Sequence, residues 1–381
     1  MGEQATDNPP VRLVTDNRVI IILGAGGVGK TTSAVTLAFL GARMGKRVGL
    51  LSIDPAKRLA AALGIGLGSR LSKVKIPAEF AVKGSIHAAM LDQKSVFDEM
   101  VRQFTASSQV VDKIFKNSIY KEVSTNLGGP LEYMALAKLQ QMVDSPDFDL
   151  VILDTPPDAH AIDFLERPNI LAGFMDKGVM TWLIKPFHLA QKMGMSKILT
   201  YGERLMGGIA SVTGVSMLQK LSEFLVLMDD VIRGFHDAGK RITTTLHAND
   251  TALMIVAAPQ SSCMRSSLKI ATQLAHYNYP LDMLLINRYL PSYLQEAAGL
   301  WQSKQVAGGG LEAGFSALNR KAGISHDLTR QLAESVRSVA GQEVPVLVVE
   351  EQEQMVHSAA AVLEFSRILE KAPEFPEGET S

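Results

Sequence analysis

The sequence predicts a doubly wound α/β fold, with a mostly parallel sheet and a helical insert subdomain. Three observations carry that expectation. Several segments of strand length are apolar from end to end, as Val19-Ile20-Ile21-Ile22-Leu23 is, which is how strands buried on both faces read. Helical patterns separate them, and such alternation builds parallel sheets. A glycine-rich turn, residues 24–29, joins the first strand to the first helical pattern. With 381 residues, 46% hydrophobic and 20% charged, the chain is long enough to bury a large core.

Taken in order, residues 1–17 are polar, carry Pro9-Pro10 and read as a flexible tail without the apolar core of a signal peptide. One domain is expected over residues 18–371. After the first strand, Ala34, Leu37, Ala38, Leu40 and Ala42 mark a helix. Residues 47–53 form a second buried strand, ended by Asp54-Pro55, where proline stops ladder pairing. Residues 56–145 read as mainly helical, with Val96, Met100, Val101 and Phe104 at helical spacing and a break at residues 126–130. A third strand covers residues 149–154 and closes on Thr155-Pro156-Pro157; further strands fit residues 252–257, 283–286 and 344–349. Residues 170–248 hold no strand pattern and form the expected insert. Residues 296–322, with Gly308-Gly309-Gly310, read as a long surface loop, and residues 372–381 as a disordered Pro- and Glu-rich tail.

Composition excludes several classes. The net charge is −1, from 38 basic and 39 acidic residues, so no clustered positive surface for nucleic acid is expected. Cys263 is the sole cysteine, which leaves neither a disulfide framework nor a thiolate metal cage. No apolar run approaches the ~18 residues of a membrane-spanning helix. A soluble cytoplasmic protein is the expectation.

The chemistry centres on Gly24-Ala25-Gly26-Gly27-Val28-Gly29-Lys30-Thr31-Thr32. Strand, glycine-rich turn and helix in that order are the context of a phosphate-binding P-loop. The backbone N–H groups of residues 26–32 form a nest for anionic oxygens, and the helix start adds its positive dipole end. Lys30 supplies a point charge for the β- and γ-phosphates, and the Thr31 hydroxyl is placed to ligate Mg²⁺. Asp54, at a strand tip, suits a group that orients or deprotonates the attacking water; it also suits a helix N-cap. Asp154 ends its strand as a Walker B carboxylate does, holding Mg²⁺ directly or through water, or else as part of an ordinary turn. His160, beyond it, fits a structural histidine equally well. Asn287 can pair with an adenine edge or cap a turn.

Together these residues resemble the ArsA/Get-type ATPases, the arsenical-pump and tail-anchored-protein-targeting branch of the deviant P-loop proteins related to MinD and ParA. Residues 24–32 resemble the family's Walker A, Ser52-Ile53-Asp54-Pro55-Ala56 its switch I, residues 154–160 its switch II, and Leu284-Leu285-Ile286-Asn287-Arg288 its adenine-reading strand. The resemblance covers residues 18 to about 350. It implies a P-loop NTPase fold, ATP and Mg²⁺ as ligands, ATP hydrolysis with Asp54 activating water, and a homodimer. Two departures stand out. The family's signature lysine after the first P-loop glycine is replaced by Ala25, and the cysteines that bind zinc or arsenite are absent.

The insert coincides with the region where targeting members build a client groove. Seven of the 17 methionines fall there: Met175, Met180, Met193, Met195, Met206, Met217 and Met228, and methionine suits surfaces that accept varied apolar partners. Leu218, Leu221, Leu225, Met228, Ile232 and Phe235 form one helical stripe; Met217, Phe224, Leu227 and Val231 form a second. Core packing and a client surface both account for them. The resulting reading is a Mg²⁺-dependent ATPase whose nucleotide state controls an apolar helical surface for a hydrophobic or membrane-protein client. The alternatives are a MinD/ParA-like positioning switch and a regulatory subunit that hydrolyses little ATP.

Overall fold

The computed structural model describes residues 8–53, 71–126, 130–156, 223–294, 311–352 and 358–376, with Leu165, Lys220 and Glu296. In chain order its elements are α1 (Pro9–Asp16), β1 (Val19–Leu23), α2 (Lys30–Arg43), β2 (Arg47–Ser52), β3 (Ser72–Lys73), a 3₁₀ turn (Ala78–Phe80), β4 (Ser85–Met90), α3 (Gln93–Phe104), α4 (Ser108–Lys116), α5 (Ser118–Asn126) and α6 (Pro130–Asp144). Then come β5 (Leu150–Asp154), α7 (Asp229–Leu246), β6 (Thr251–Ala257), α8 (Ser261–His276), β7 (Met283–Tyr289), α9 (Leu311–Ala340), β8 (Val346–Glu350) and α10 (Ala359–Glu370).

The strands form one sheet in the order β3-β4-β2-β5-β1-β6-β7-β8, parallel throughout except for the short β3. β1, β5 and β6 are buried at every position. Helices α2 and α10 pack on each other over Ile20, Ile22, Leu50 and Ile152. β1 lies between β5 and β6, where the chain reverses its direction across the sheet. Ligands of open α/β sheets bind at the carboxyl ends of strands at such a switch point.

Four expectations need correction. Residues 9–16 are helix α1, not tail: the two prolines occupy its first turn, where a missing N–H costs nothing, and Val11, Leu13 and Val14 are buried. Ser85-Ile86-His87-Ala88-Ala89-Met90 is a strand within a region expected to be helical. Its alanines favour helix, and six-residue parallel pairing with β2 overrides them. Residues 311–322 are the start of α9 rather than loop. Residues 372–376 are held against the last strand: Val348 N–H donates to Pro373 O (3.1 Å), Phe375 N–H donates to Val346 O (2.7 Å), and Ala372 and Phe375 are buried. This contact covers the edge of β8 with backbone that would otherwise lack partners.

The chain divides into two compact units. The sheet unit is interrupted after Leu91, where residues 92–140 belong to the helical unit, and again after Phe164, where the helical unit resumes until Leu246. The expected insert is therefore only one of two segments that build the helical unit. Asp92 caps α3 by accepting from Ser95 N–H at 2.9 Å. Phe97 of α3 stacks on both Tyr120 and Phe235, with centroids 5.5 and 5.8 Å apart, and Phe104 meets Phe235 edge-on. Burial raises the Tyr120 phenol well above its ordinary value, reinforced by its hydrogen bond to Asp98 at 2.6 Å. Phe224, Met228, Val231 and Phe235 are buried, while Leu225, Leu227 and Ile232 are half-buried. The buried face thus takes members from both expected stripes. The remaining methionines of the insert, from Met175 to Met217, lie outside the described residues, as do Leu218 and Leu221.

Candidate functional site

The site is built where β1 ends. Gly29, at the start of α2, has φ of +103°, a left-handed conformation that glycine reaches without a Cβ penalty. Gly26 and Gly27 are exposed, so their backbone faces outward, and Val28 is buried beneath them. Lys30 is 6% exposed, and its Nζ donates to the carbonyls of Gly24 and Ala25, both at 2.9 Å. The ammonium is curled over the loop that the sequence assigns to phosphate. Ala25 is half-buried against the core. Thr32 is half-buried, and its carbonyl accepts from Thr36 at 2.7 Å inside α2.

The register of the sheet brings Asp154 beside this turn. Its Cα pairs with Ile22 of β1 on one side and Ser52 of β2 on the other. The carboxylate is fully buried, and Oδ2 accepts from Thr31 Oγ1 and from Ser52 Oγ, each at 2.7 Å. A carboxylate and the first helical hydroxyl of a P-loop, in contact, are the donor set expected of a Mg²⁺ site completed by phosphate oxygens and water. These residues fit that ion.

Sequence reasoning missed two polar groups here. Ser52 joins Thr31 on the same carboxylate oxygen, and Thr155 Oγ1 donates to Ile22 O at 2.7 Å, fastening the end of β5 to β1. The signal for Ser52 is its place on the last residue of a strand adjacent to β5, which only the strand order reveals.

Asn287 stands at the end of β7, 8% exposed, and reaches the P-loop from the far side of β6. Its Nδ2 donates to Val28 O at 2.8 Å, and its Oδ1 accepts from Arg288 N–H at 2.9 Å. Arg288 turns the chain there with φ of +59°. The structure therefore unites Gly26–Thr32, Asp154 and Asn287. Asp54 and His160 lie outside the described residues.

A family model described as anion-transporting ATPase matches residues 17–308, most of the chain and all of this site. The chain belongs to that family. Among curated relatives, ATPase ASNA1 homolog 1 of Paramecium tetraurelia is 32% identical over 45% of the chain, ATPase GET3 of Mycosarcoma maydis 27% over 43%, and ATPase get3 of Aspergillus niger 25% over 72%. The matches span 49%, 47% and 73% of those relatives, so the chain covers about half the length of the first two. The expected fold and family are both borne out.

Among the described residues, no helix is long and apolar enough to cross a membrane.

Proposed function

We propose that this protein is a Mg²⁺-dependent ATPase that hydrolyses ATP at the β1–α2 turn. The observation that carries the reading is the contact of Thr31 and Ser52 with buried Asp154 directly beside the glycine loop. The N–H groups of residues 26–32 bind the phosphate oxygens of ATP. Lys30 exchanges its two backbone carbonyls for the β- and γ-phosphates, a stronger charge-assisted contact. Thr31 and Asp154 are the residues that would hold Mg²⁺, and the ion, when bound, would supply neutralisation of charge on the transferred phosphoryl group. Asp54 orients or deprotonates the attacking water, the role that the family resemblance implies for it. Asn287 favours adenine over guanine.

The family resemblance supports a cytoplasmic homodimer acting on a hydrophobic or membrane-protein client. In the 223–246 segment, Leu225, Val226, Leu227 and Ile232 are the apolar side chains left half-buried and available to such a partner. Ala25 favours a slow basal rate, because the cross-subunit phosphate contact of the signature lysine is missing. Client or partner binding then supplies the differential energy for closure.

Titration of Lys30→Ala with Mg²⁺-ATP tests the site. Affinity is expected to fall on the order of tenfold to a hundredfold, with the thermal midpoint of unliganded protein little changed. Affinity equal to that of the wild type overturns the assignment.

A further inference from the structure

The Asn287 carboxamide does more than its family resemblance requires. A base-reading side chain would present its amide edge towards the base. Here the carboxamide is almost completely buried, and the two bonds it makes are both to backbone: Nδ2 to Val28 O at 2.8 Å and Oδ1 from Arg288 N–H at 2.9 Å. The Val28 carbonyl and the Gly29 N–H are the two ends of one planar peptide unit and point in opposite directions. Holding that oxygen against Asn287 aims the Gly29 N–H away from the asparagine; in the reading of this loop as a phosphate nest, that is the side left for an anionic oxygen. Gly29 itself makes the approach possible, since a Cβ at this position would lie 2.2 Å from Asn287 Nδ2. The orientation of the amide is set in turn by the Arg288 N–H, which donates to Oδ1 and so assigns the other end of the carboxamide, Nδ2, to Val28.

We infer that Asn287 is a positioning residue for the phosphate site, fixing the Val28–Gly29 peptide so that the Gly29 N–H is ready for an anionic oxygen before any base is bound. The inference rests on the reading of this loop as the ATP site. It makes a distinction that base reading alone does not: Asn287 matters to a ligand that has no base.

The test titrates inorganic tripolyphosphate with Mg²⁺ against wild type, Asn287→Asp and Asn287→Ala, with ATP in parallel. Aspartate keeps the size and the acceptor for Arg288 N–H but sets a carboxylate oxygen against the Val28 carbonyl; alanine removes both bonds. Both variants are expected to lose roughly three- to tenfold in tripolyphosphate affinity, the range of one hydrogen bond. Unchanged tripolyphosphate affinity beside weakened ATP binding makes Asn287 a base reader only and overturns the inference. Two remaining outcomes call for a second measurement: variants that do not fold, and a wild type that binds neither ligand, which refutes the ATP-site reading itself. That measurement is side-chain amide hydrogen exchange in the unliganded wild type by NMR. Asn287 Nδ2 protons exchanging well below the rate of an exposed asparagine support the brace, and exchange at the exposed rate overturns it.

Discussion

Asp149, immediately before β5, and Asp154, its last residue, stand five residues apart and do different work. Asp154, at the carboxyl end, is wholly buried and takes hydroxyl bonds from α2 and β2. Asp149, at the amino end, is 40% exposed and grips one arginine: Arg47 Nη2 at 2.7 Å, Nε at 3.0 Å and its backbone N–H at 2.8 Å. Lys46 lies at the same end, where burial lowers its pKa, and donates to Thr15 O at 2.8 Å. At the carboxyl end the carboxylate is withdrawn from solvent beside the glycine-rich turn, where the ATP site is proposed; at the amino end it pairs with one arginine in contact with solvent. The carboxylates are chemically alike, so the difference comes from burial and from which groups converge on each.

The comparison is broken most severely at Asp154. Asp154→Asn keeps the shape and can still bond Thr31 and Ser52, but it loses the negative charge expected to hold Mg²⁺. ATP turnover is expected to drop on the order of a hundredfold or more in a phosphate-release assay, with the fold retained. A mutant hydrolysing at the wild-type rate would reduce Asp154 to a structural bond.

The two ends of α2 give a matched pair with smaller effects. Gly29 before it and Gly45 after it both have positive φ, +103° and +92°. A Cβ at Gly29 collides with Asn287, whereas the nearest atom to one at Gly45 is Lys83 Cβ at 4.0 Å. Gly45→Ala should cost about 1 kcal/mol of stability from backbone strain alone. Gly29→Ala carries the same strain plus about 1–3 kcal/mol for displacing the asparagine, and weakens ATP binding. Urea unfolding of both variants separates the terms; equal losses would mean that Asn287 moves aside freely.

How much of this was legible in sequence follows from the same contrast. The P-loop is contiguous, so its residue types and spacing carry the whole signal, and Lys30, Thr31 and Asp154 stand where the motif puts them. Ser52 was not legible as a partner of Asp154, because their meeting depends on β2 lying next to β5. The helical unit was legible only in part. Phe235 packs on Phe97 and Phe104, more than a hundred residues earlier, and periodicity along one helix cannot say which face meets which distant segment. The same limit hid β4, whose alanines read as helix until β2 pairs with them. The covered edge of β8 was hidden by a Pro- and Glu-rich composition whose few ordered contacts, Ala372 and Phe375, are short.

The smallest expected effect, at Asp149, carries a pH signature. Arg47, through its side-chain bonds first and its backbone N–H second, holds the Asp149 carboxyl down to about 2. The unfolded chain has an ordinary aspartate, with a pKa of about 3.9. A carboxyl lowered on folding stabilises the native state fully above the unfolded pKa and loses that contribution as pH falls through the folded one. The Arg47–Asp149 stabilisation should therefore be complete at pH 7, decline below about pH 4 and vanish near pH 2. Both partners face solvent, so screening keeps the gain under about 1 kcal/mol. Asp149→Asn is expected to lower the thermal midpoint slightly at pH 7, with the gap from wild type narrowing between pH 4 and pH 3, and to leave ATP affinity unchanged. A gap constant across that range would show that the asparagine loses something other than charge. A change in ATP affinity would show that the two ends of β5 are not independent.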